Sequence, residues 1–159
     1  MEPVKQAVFE RTFDAPVERV WQAWTDPAQV KEWWGPDNVT IPECEIDLRP
    51  GGKLYIVMEA AAAMGEYAGT RWPMEGAYTA VEPNKRLSYA TKAWTVGAEE
   101  STQIDQTADL VLSEEDGKTN MVLTVEITHA GPGAKMALEG MQWGYNQQFD
   151  KLEKYLANM

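Results

Sequence analysis

A stripe of apolar side chains near the C terminus constrains the fold more than any other feature of the sequence. These residues follow one another at steps of three and four: Leu138, Met141, Tyr145, Phe149, Leu152 and Leu156. The spacing predicts an amphipathic helix in which the stripe runs over about five turns. Because such a stripe has to be buried, the remaining chain must supply a layer for it to pack against.

Most of the preceding chain is typical of β-strands. In residues 5–13, Ala7, Phe9 and Phe13 alternate with polar side chains, which is the pattern of a half-buried strand. Further strands are predicted at residues 39–48, 53–59, 72–81, 86–94, 108–113 and 120–128, and the last two are joined through an Asp-Gly turn.

Two short helices are predicted after the first strand. Asp14 is the expected cap of the first helix and Asp26 of the second, which ends at Gly35-Pro36. Successive helical side chains diverge by about 100 degrees, so the adjacent indoles of Trp33 and Trp34 should separate. We expect Trp34 to pack inward and Trp33 to lie nearer the mouth of any cavity.

The predicted helices are segregated from the strands, which indicates the α+β class with an antiparallel sheet. Two short helices follow strand 1, about six to seven strands form a curved sheet, and a long C-terminal helix packs on it. The 159 residues are expected to form a single domain, 1–159.

The composition excludes several classes of function. The chain carries 25 acidic and 14 basic residues, a net charge of −11, which argues against binding to nucleic acids or to anionic membranes. The apolar runs are too short to span a membrane, and the N terminus lacks the pattern of a secretory signal. With a single cysteine, Cys44, no internal disulfide can form, and a cytoplasmic location is expected.

Few residues indicate catalysis. His129 is the only histidine, no nucleophile motif accompanies it, and no metal-ligand spacing or cofactor motif is present, so we expect neither a metal nor a cofactor. Arg11 is in step with Phe9 and Phe13. If its side chain faces inward, it needs a carboxylate partner. Six strand carboxylates could form the solvated outer face or supply interior acid and base groups: Glu43, Glu45, Glu59, Glu75, Asp109 and Glu126.

Four stretches carry a family resemblance from Phe9 to Ala157. In order they are "FDAPVERVWQAWTDPAQVKEWWGP", "DLRPGGKLYIVM", "WPMEGAYTAVEPNKRLSYA" and "GYNQQFDKLEKYLA". Together they resemble the activator of heat-shock-protein-90 ATPase homologue family, within the START-like superfamily of polyketide cyclases and lipid transporters. The resemblance implies a helix-grip fold, in which the sheet wraps the last helix around an internal cavity. Superfamily members bind sterols, lipids, polyketides or plant hormones, and some cyclise or hydrolyse them.

The expected function is binding of an apolar or amphipathic small molecule in that cavity. Gly140 and Gly144 are costly inside a helix, which indicates close approach of backbone or ligand. The predicted ligand-binding residues are Arg11, Trp33, Tyr55, Trp72, Met74, Tyr78, Tyr89, Met136, Met141, Trp143 and Tyr145.

Two other classes of function stay open. One is a cyclase- or hydrolase-type enzyme that uses inward carboxylates, although the sequence favours binding without catalysis. The other is an interaction module that stimulates a chaperone ATPase, for which the chaperone would be the partner. Exposed sheet edges also favour a homodimer.

Overall fold

Seven antiparallel strands form one curved sheet in the computed structural model, which describes residues 5–158. The strands are β1 (Lys5–Phe13), β2 (Val39–Ile46), β3 (Lys53–Ala60), β4 (Arg71–Glu82), β5 (Arg86–Ala93), β6 (Ile104–Glu115) and β7 (Lys118–Ala130). The helices are α1 (Val17–Thr25), α2 (Pro27–Trp33) and α3 (Lys135–Ala157). Short 3-10 turns occupy Ala62–Tyr67 and Pro132–Ala134.

The strand order is β1-β7-β6-β5-β4-β3-β2, so β1 and β2 are the edges. The predicted α+β class, with a curved antiparallel sheet, two short helices and a long C-terminal helix, is confirmed. β6 begins at Ile104 rather than at Ala108, because its pairing with β5 continues as far as Ala93 opposite Ile104.

One face of the sheet forms the core. Residues directly opposite each other on neighbouring strands point to the same side. Phe9, Leu123, Leu110 and Leu87 therefore make one apolar row across four strands, and each is at most 5% exposed. We call this the inner face. α3 packs on it, with the ring of Phe149 edge-on to Phe9 at 5.8 Å between centroids.

The start of α1 differs from the prediction. Its N-cap is Pro16, and no side chain caps it, so Asp14 is not the cap. Instead the N–H of Val17 donates to the Glu114 carboxylate at the end of β6, at 2.8 Å. The prediction for α2 is confirmed, because the Asp26 carboxylate accepts from the N–H of Ala28. A carboxylate from a distant strand can thus replace the local cap that the sequence pattern indicated.

Both adjacent indoles are buried, which contradicts the expected placement of Trp33. Trp33 is 0% exposed and Trp34 is 8% exposed. The indole N–H of Trp33 donates to the carbonyl of Ala23 at 2.9 Å, and its ring lies 4.9 Å from that of Trp24. α2 ends at Trp33 and Trp34 is extended, so the helical angle between successive side chains does not apply to this pair.

The segment after Trp34 is held by α3, in a set of contacts that we call the clasp. Gln148 accepts from the N–H of Gly35 at 2.8 Å, and Gln147 accepts from the N–H of Asp37 at 3.0 Å. The ammonium of Lys151 donates to the carbonyls of Trp34 and Pro36 at 3.3 and 3.2 Å. Burial lowers the pKa of Lys151 from its ordinary value, as expected for an ammonium enclosed by the clasp.

Trp33→Leu is expected to destabilise the protein by about 3 kcal/mol, because it removes a fully buried ring and leaves the Ala23 carbonyl without its donor. Urea unfolding at neutral pH measures the change. Trp143→Leu is the matched control, since Trp143 is 67% exposed, and should change stability by less than about 0.5 kcal/mol. Equal effects from the two substitutions would contradict the assigned burial.

Candidate functional site

One end of the inner face is covered less completely than the rest. β3, β5 and β7 end there, and β4, β6 and α3 begin there. Apolar residues at this edge pack against the core but stay half-buried, whereas Phe149, Leu152 and Leu156 further along α3 are buried. We call this set the half-covered end: Met58, Ala93, Ile104, Ala130, Leu138, Met141 and Tyr145.

Four polar side chains lie on the inner face beside the half-covered end. Thr91 and Gln106 are directly opposite each other on β5 and β6, and Tyr89 is in step with Thr91. The Gln106 amide nitrogen lies 3.5 Å from the hydroxyl oxygen of Tyr145 on α3. We call these four residues the inner polar cluster. A strand face that is otherwise apolar therefore carries a polar patch where α3 approaches it.

Two hydroxyls of the inner polar cluster are buried without a partner. Tyr89 is 2% exposed and Thr91 is 4% exposed, yet neither hydroxyl makes a hydrogen bond to any other residue within 5–158. Leaving a buried hydroxyl unpaired costs about 1–3 kcal/mol, and most buried polar side-chain atoms in proteins are paired. These two hydroxyls can therefore be satisfied only by a group from outside the described residues, such as a bound water or a ligand.

The hydroxyls of the cluster stay protonated at neutral pH. Burial raises the pKa of Tyr89 well above its ordinary value, and the nearby Tyr145 and Tyr78 raise it further. Burial also raises the pKa of Tyr145. Each phenol can consequently donate a hydrogen bond as well as accept one. The cluster offers neutral donors and acceptors and no charge of its own.

Six of the predicted site residues lie in or near this region. Tyr89 and Tyr145 belong to the inner polar cluster, and Met141 lies at the half-covered end. Trp72 pairs with Met58 and is half-buried on the same face. The remaining two, Met74 and Tyr78, are buried in the core beside it.

Four of the other five predicted residues lie outside this region. Trp33 is inside the core, while Tyr55 is half-buried on the outer face, where the Lys53 ammonium lies 5.1 Å from its ring. Met136 and Trp143 are 82% and 67% exposed on α3. Neither residue belongs to the apolar stripe of α3, and both face away from the sheet. A Cβ added at Gly140 or Gly144 would meet nothing within 4 Å beyond its own stretch of helix, so close approach of another backbone does not explain these glycines.

Arg11 is on the inner face, as its spacing predicted, but it is engaged with α3. Its guanidinium donates to the Asp150 carboxylate at 2.8 Å and to the Asn146 carbonyl at 3.2 Å. The two side chains of the ion pair are 25% and 60% exposed. The pair therefore lies at an open sheet edge, where ion pairs contribute little to stability.

The six strand carboxylates lie on the outer face. Asp109 receives hydrogen bonds from Arg86 and Ser88, and Glu59 pairs with Arg71. Cross-strand pairing places the remaining four on the same side, so none of the six is an interior acid or base: Glu43, Glu45, Glu75 and Glu126. The solvated-face interpretation of these residues is the correct one.

Thr91 and Gln106 are functional candidates that the sequence reasoning missed. Both interrupt an apolar series at the inward positions of their strands, since Leu87 and Tyr89 precede Thr91, and Ala108 follows Gln106. A polar residue in step with buried apolar ones was the available signal.

Other potential sites in the described residues are limited. Within residues 5–158, no group of three His, Cys, Asp or Glu side chains could hold a metal ion. His129 is exposed, and burial raises the pKa of Cys44 to about 11.

An open groove of about 500 Å³ lies on the outer face beside residues 94–103. Its lining includes Glu75, Lys92, Trp94, Glu99 and Glu100. None of the helices in the described part of the chain has the length and hydropathy of a membrane span.

Thr91→Val should leave the free energy of unfolding unchanged or raise it, because the lost hydroxyl has no partner in the protein. Thr119→Val should lower it by about 1–2 kcal/mol, since the equally buried Thr119 hydroxyl donates to the Ala15 carbonyl at 2.7 Å. Urea unfolding of both variants tests the contrast. A larger loss for Thr91→Val would mean that its hydroxyl is satisfied within the fold.

Comparison with solved structures places the fold among known proteins. A Chromobacterium violaceum protein is 22% identical with a TM-score of 0.76, covering 96% of this chain and 97% of that one. A Nitrosomonas europaea protein is 24% identical with a TM-score of 0.75, covering 96% and 94%. A Mycobacterium smegmatis protein is 23% identical with a TM-score of 0.74, covering 96% and 91%. At these identities the likeness establishes the fold alone.

The comparison with curated proteins found no relative of this chain, but the sequence matches a protein family. The family described as "Activator of Hsp90 ATPase homolog 1-like protein" matches residues 14–157, which run from the turn before α1 to the last residue of α3. The chain therefore belongs to the Activator of Hsp90 ATPase homolog 1-like family.

Proposed function

We propose that this protein binds an apolar or amphipathic small molecule between the inner face of β4–β6 and the first half of α3. The proposal rests on one observation: the buried hydroxyls of Tyr89 and Thr91 have no hydrogen-bond partner in the protein. A ligand oxygen reaching these groups would remove the cost of leaving them unsatisfied. Binding sites for small molecules are mostly apolar with a few converging polar groups, which is the composition of this region.

The half-covered end supplies the route and the apolar contacts. Leu138, Met141 and Tyr145 are half-buried over the sheet, and Ala93 and Ile104 are half-buried below them. A ligand that entered here would cover apolar surface at roughly 25 cal/mol for each Å² removed from water. Methionine side chains adapt to irregular shapes, so Met58 and Met141 suit the walls of such a site. A molecule with a hydrocarbon body and one buried polar group fits these surroundings.

Ala93→Phe is expected to weaken ligand binding by at least about tenfold, because the larger ring would occupy the space at the half-covered end. Fluorescence titration of the wild type and the variant with the neutral dye Nile red, followed by competition with a lipid and polyketide panel, measures the effect. Val111→Phe is the matched control, since Val111 is 42% exposed on the outer face of β6. It should bind as the wild type does.

Two results would contradict the proposal. One is a wild-type protein that binds neither the dye nor any member of the panel. The other is an Ala93→Phe variant that keeps its fold by circular dichroism and binds as tightly as the wild type. Equal losses in Ala93→Phe and Val111→Phe would place the dye on the outer surface instead.

A second candidate function is stimulation of a chaperone ATPase. The family description names an activator, and the exposed Met136 and Trp143 on α3 provide apolar contacts of the kind found at protein interfaces. An ATPase assay with the chaperone from the same organism discriminates between the two candidates. Stimulation that Trp143→Ala abolishes would favour the second candidate, and an unchanged ATPase rate would remove it.

A further inference from the structure

We infer that the buried polar group of the ligand is an uncharged oxygen function, a hydroxyl or carbonyl, bound by Tyr89 and Thr91. The inference rests on the proposed function and narrows its ligand class. It separates alcohols and ketones from fatty acids and other carboxylates. The deciding feature is the distribution of charge around the inner polar cluster.

Both unpaired groups are neutral hydroxyls, which can donate to a carbonyl oxygen and can also accept from an alcohol. The Gln106 amide and the Tyr145 hydroxyl add one more neutral pair, 3.5 Å apart. Each member of the inner polar cluster thus offers a hydrogen bond without a formal charge.

Charged side chains next to the cluster point away from it. Glu75, Lys92 and Asp105 are directly opposite one another across β4, β5 and β6. They alternate with Met74, Thr91 and Gln106, so they lie on the outer face. A carboxylate at the cluster would find no cation on the inner face of these three strands.

The cations on the inner face of the described strands are both on β1. Lys5 donates to the carbonyl of Leu138 at 2.6 Å, and Arg11 is paired with Asp150. β7 and β6 separate β1 from β5, so the backbones of Lys5 and Arg11 lie three strand spacings, roughly 14 Å along the sheet, from the backbone of β5. Both charged groups are held at α3, and neither makes a hydrogen bond to Tyr89 or Thr91. Burying an unpaired carboxylate there would cost far more than burying a hydroxyl.

The test compares two probes with the same ten-carbon chain, 1-decanol and decanoic acid, at about pH 8, where the acid is ionised. Competition against Nile red and isothermal titration calorimetry give both affinities. The wild type should bind decanol at least about tenfold more tightly than decanoate. In the Tyr89→Phe/Thr91→Val double variant, the affinity for decanol should fall several-fold, while that for decanoate should not change.

A matched control removes the same two chemical groups from the outer face. In Tyr55→Phe/Thr107→Val, both positions lie outside the inner polar cluster, and Thr107 is exposed opposite Ala90. This control should keep the wild-type preference. Thr91→Val alone tests the same point if the double variant is poorly folded, and it should reduce the preference for decanol in part.

The outcomes separate this inference from the proposed function. Failure of both probes and of Nile red to bind the wild type would overturn the proposed function, and with it the inference. Binding of decanoate as tightly as decanol would overturn the inference alone. An unchanged preference in the double variant would also overturn it, because the hydroxyls would then be satisfied by water rather than by the ligand.

Discussion

The four hydrogen bonds of the clasp join the segment after α2 to α3, across 110 to 117 residues of the chain. Three side chains of α3 hold the backbone that follows α2, and each partner is a peptide group of the turn rather than a replaceable side chain. These bonds fix the path of Gly35, where the chain has φ 84 and a Cβ would lie 2.7 Å from the Val39 side chain. β2 starts immediately afterwards, so the clasp sets where the sheet's far edge begins.

Burial of the adjacent tryptophans depends on the same contacts. Trp33 and Trp34 both pack around Trp24, and their rings lie 4.9 and 5.9 Å from it. They can do so only because α2 stops between them and the extended backbone turns the second indole inward. The helix-based expectation for Trp33 failed for this reason: a period of 3.6 residues holds inside a helix and gives no direction for the residue just beyond it.

The strands and α3 were predictable because both periodicities are strong. Alternation along β1 and β7 identified the inner face, and the stripe on α3 identified the helix that covers it. The candidate site was predictable only in part. Tyr89 and Tyr145 stood out as aromatic residues. Thr91 and Gln106 did not, because they lie opposite each other only through the pairing of β5 with β6 in the folded sheet. The stripe does separate two aromatic residues of α3, because Tyr145 belongs to it and packs on the core, whereas Trp143 lies outside it and is exposed.

α3 is uneven along its length. Its last turns bury Phe149, Leu152 and Leu156 and are joined to the clasp, whereas its first turns contain Gly140 and Gly144, where an added Cβ would meet nothing within 4 Å. Two glycines lower intrinsic helix stability by about 2 kcal/mol relative to alanines. The first turns should therefore unfold locally at a lower free energy than the rest, and their amide hydrogens should exchange with solvent sooner. A helix built in this way can open above the inner polar cluster while the core beneath its second half stays intact.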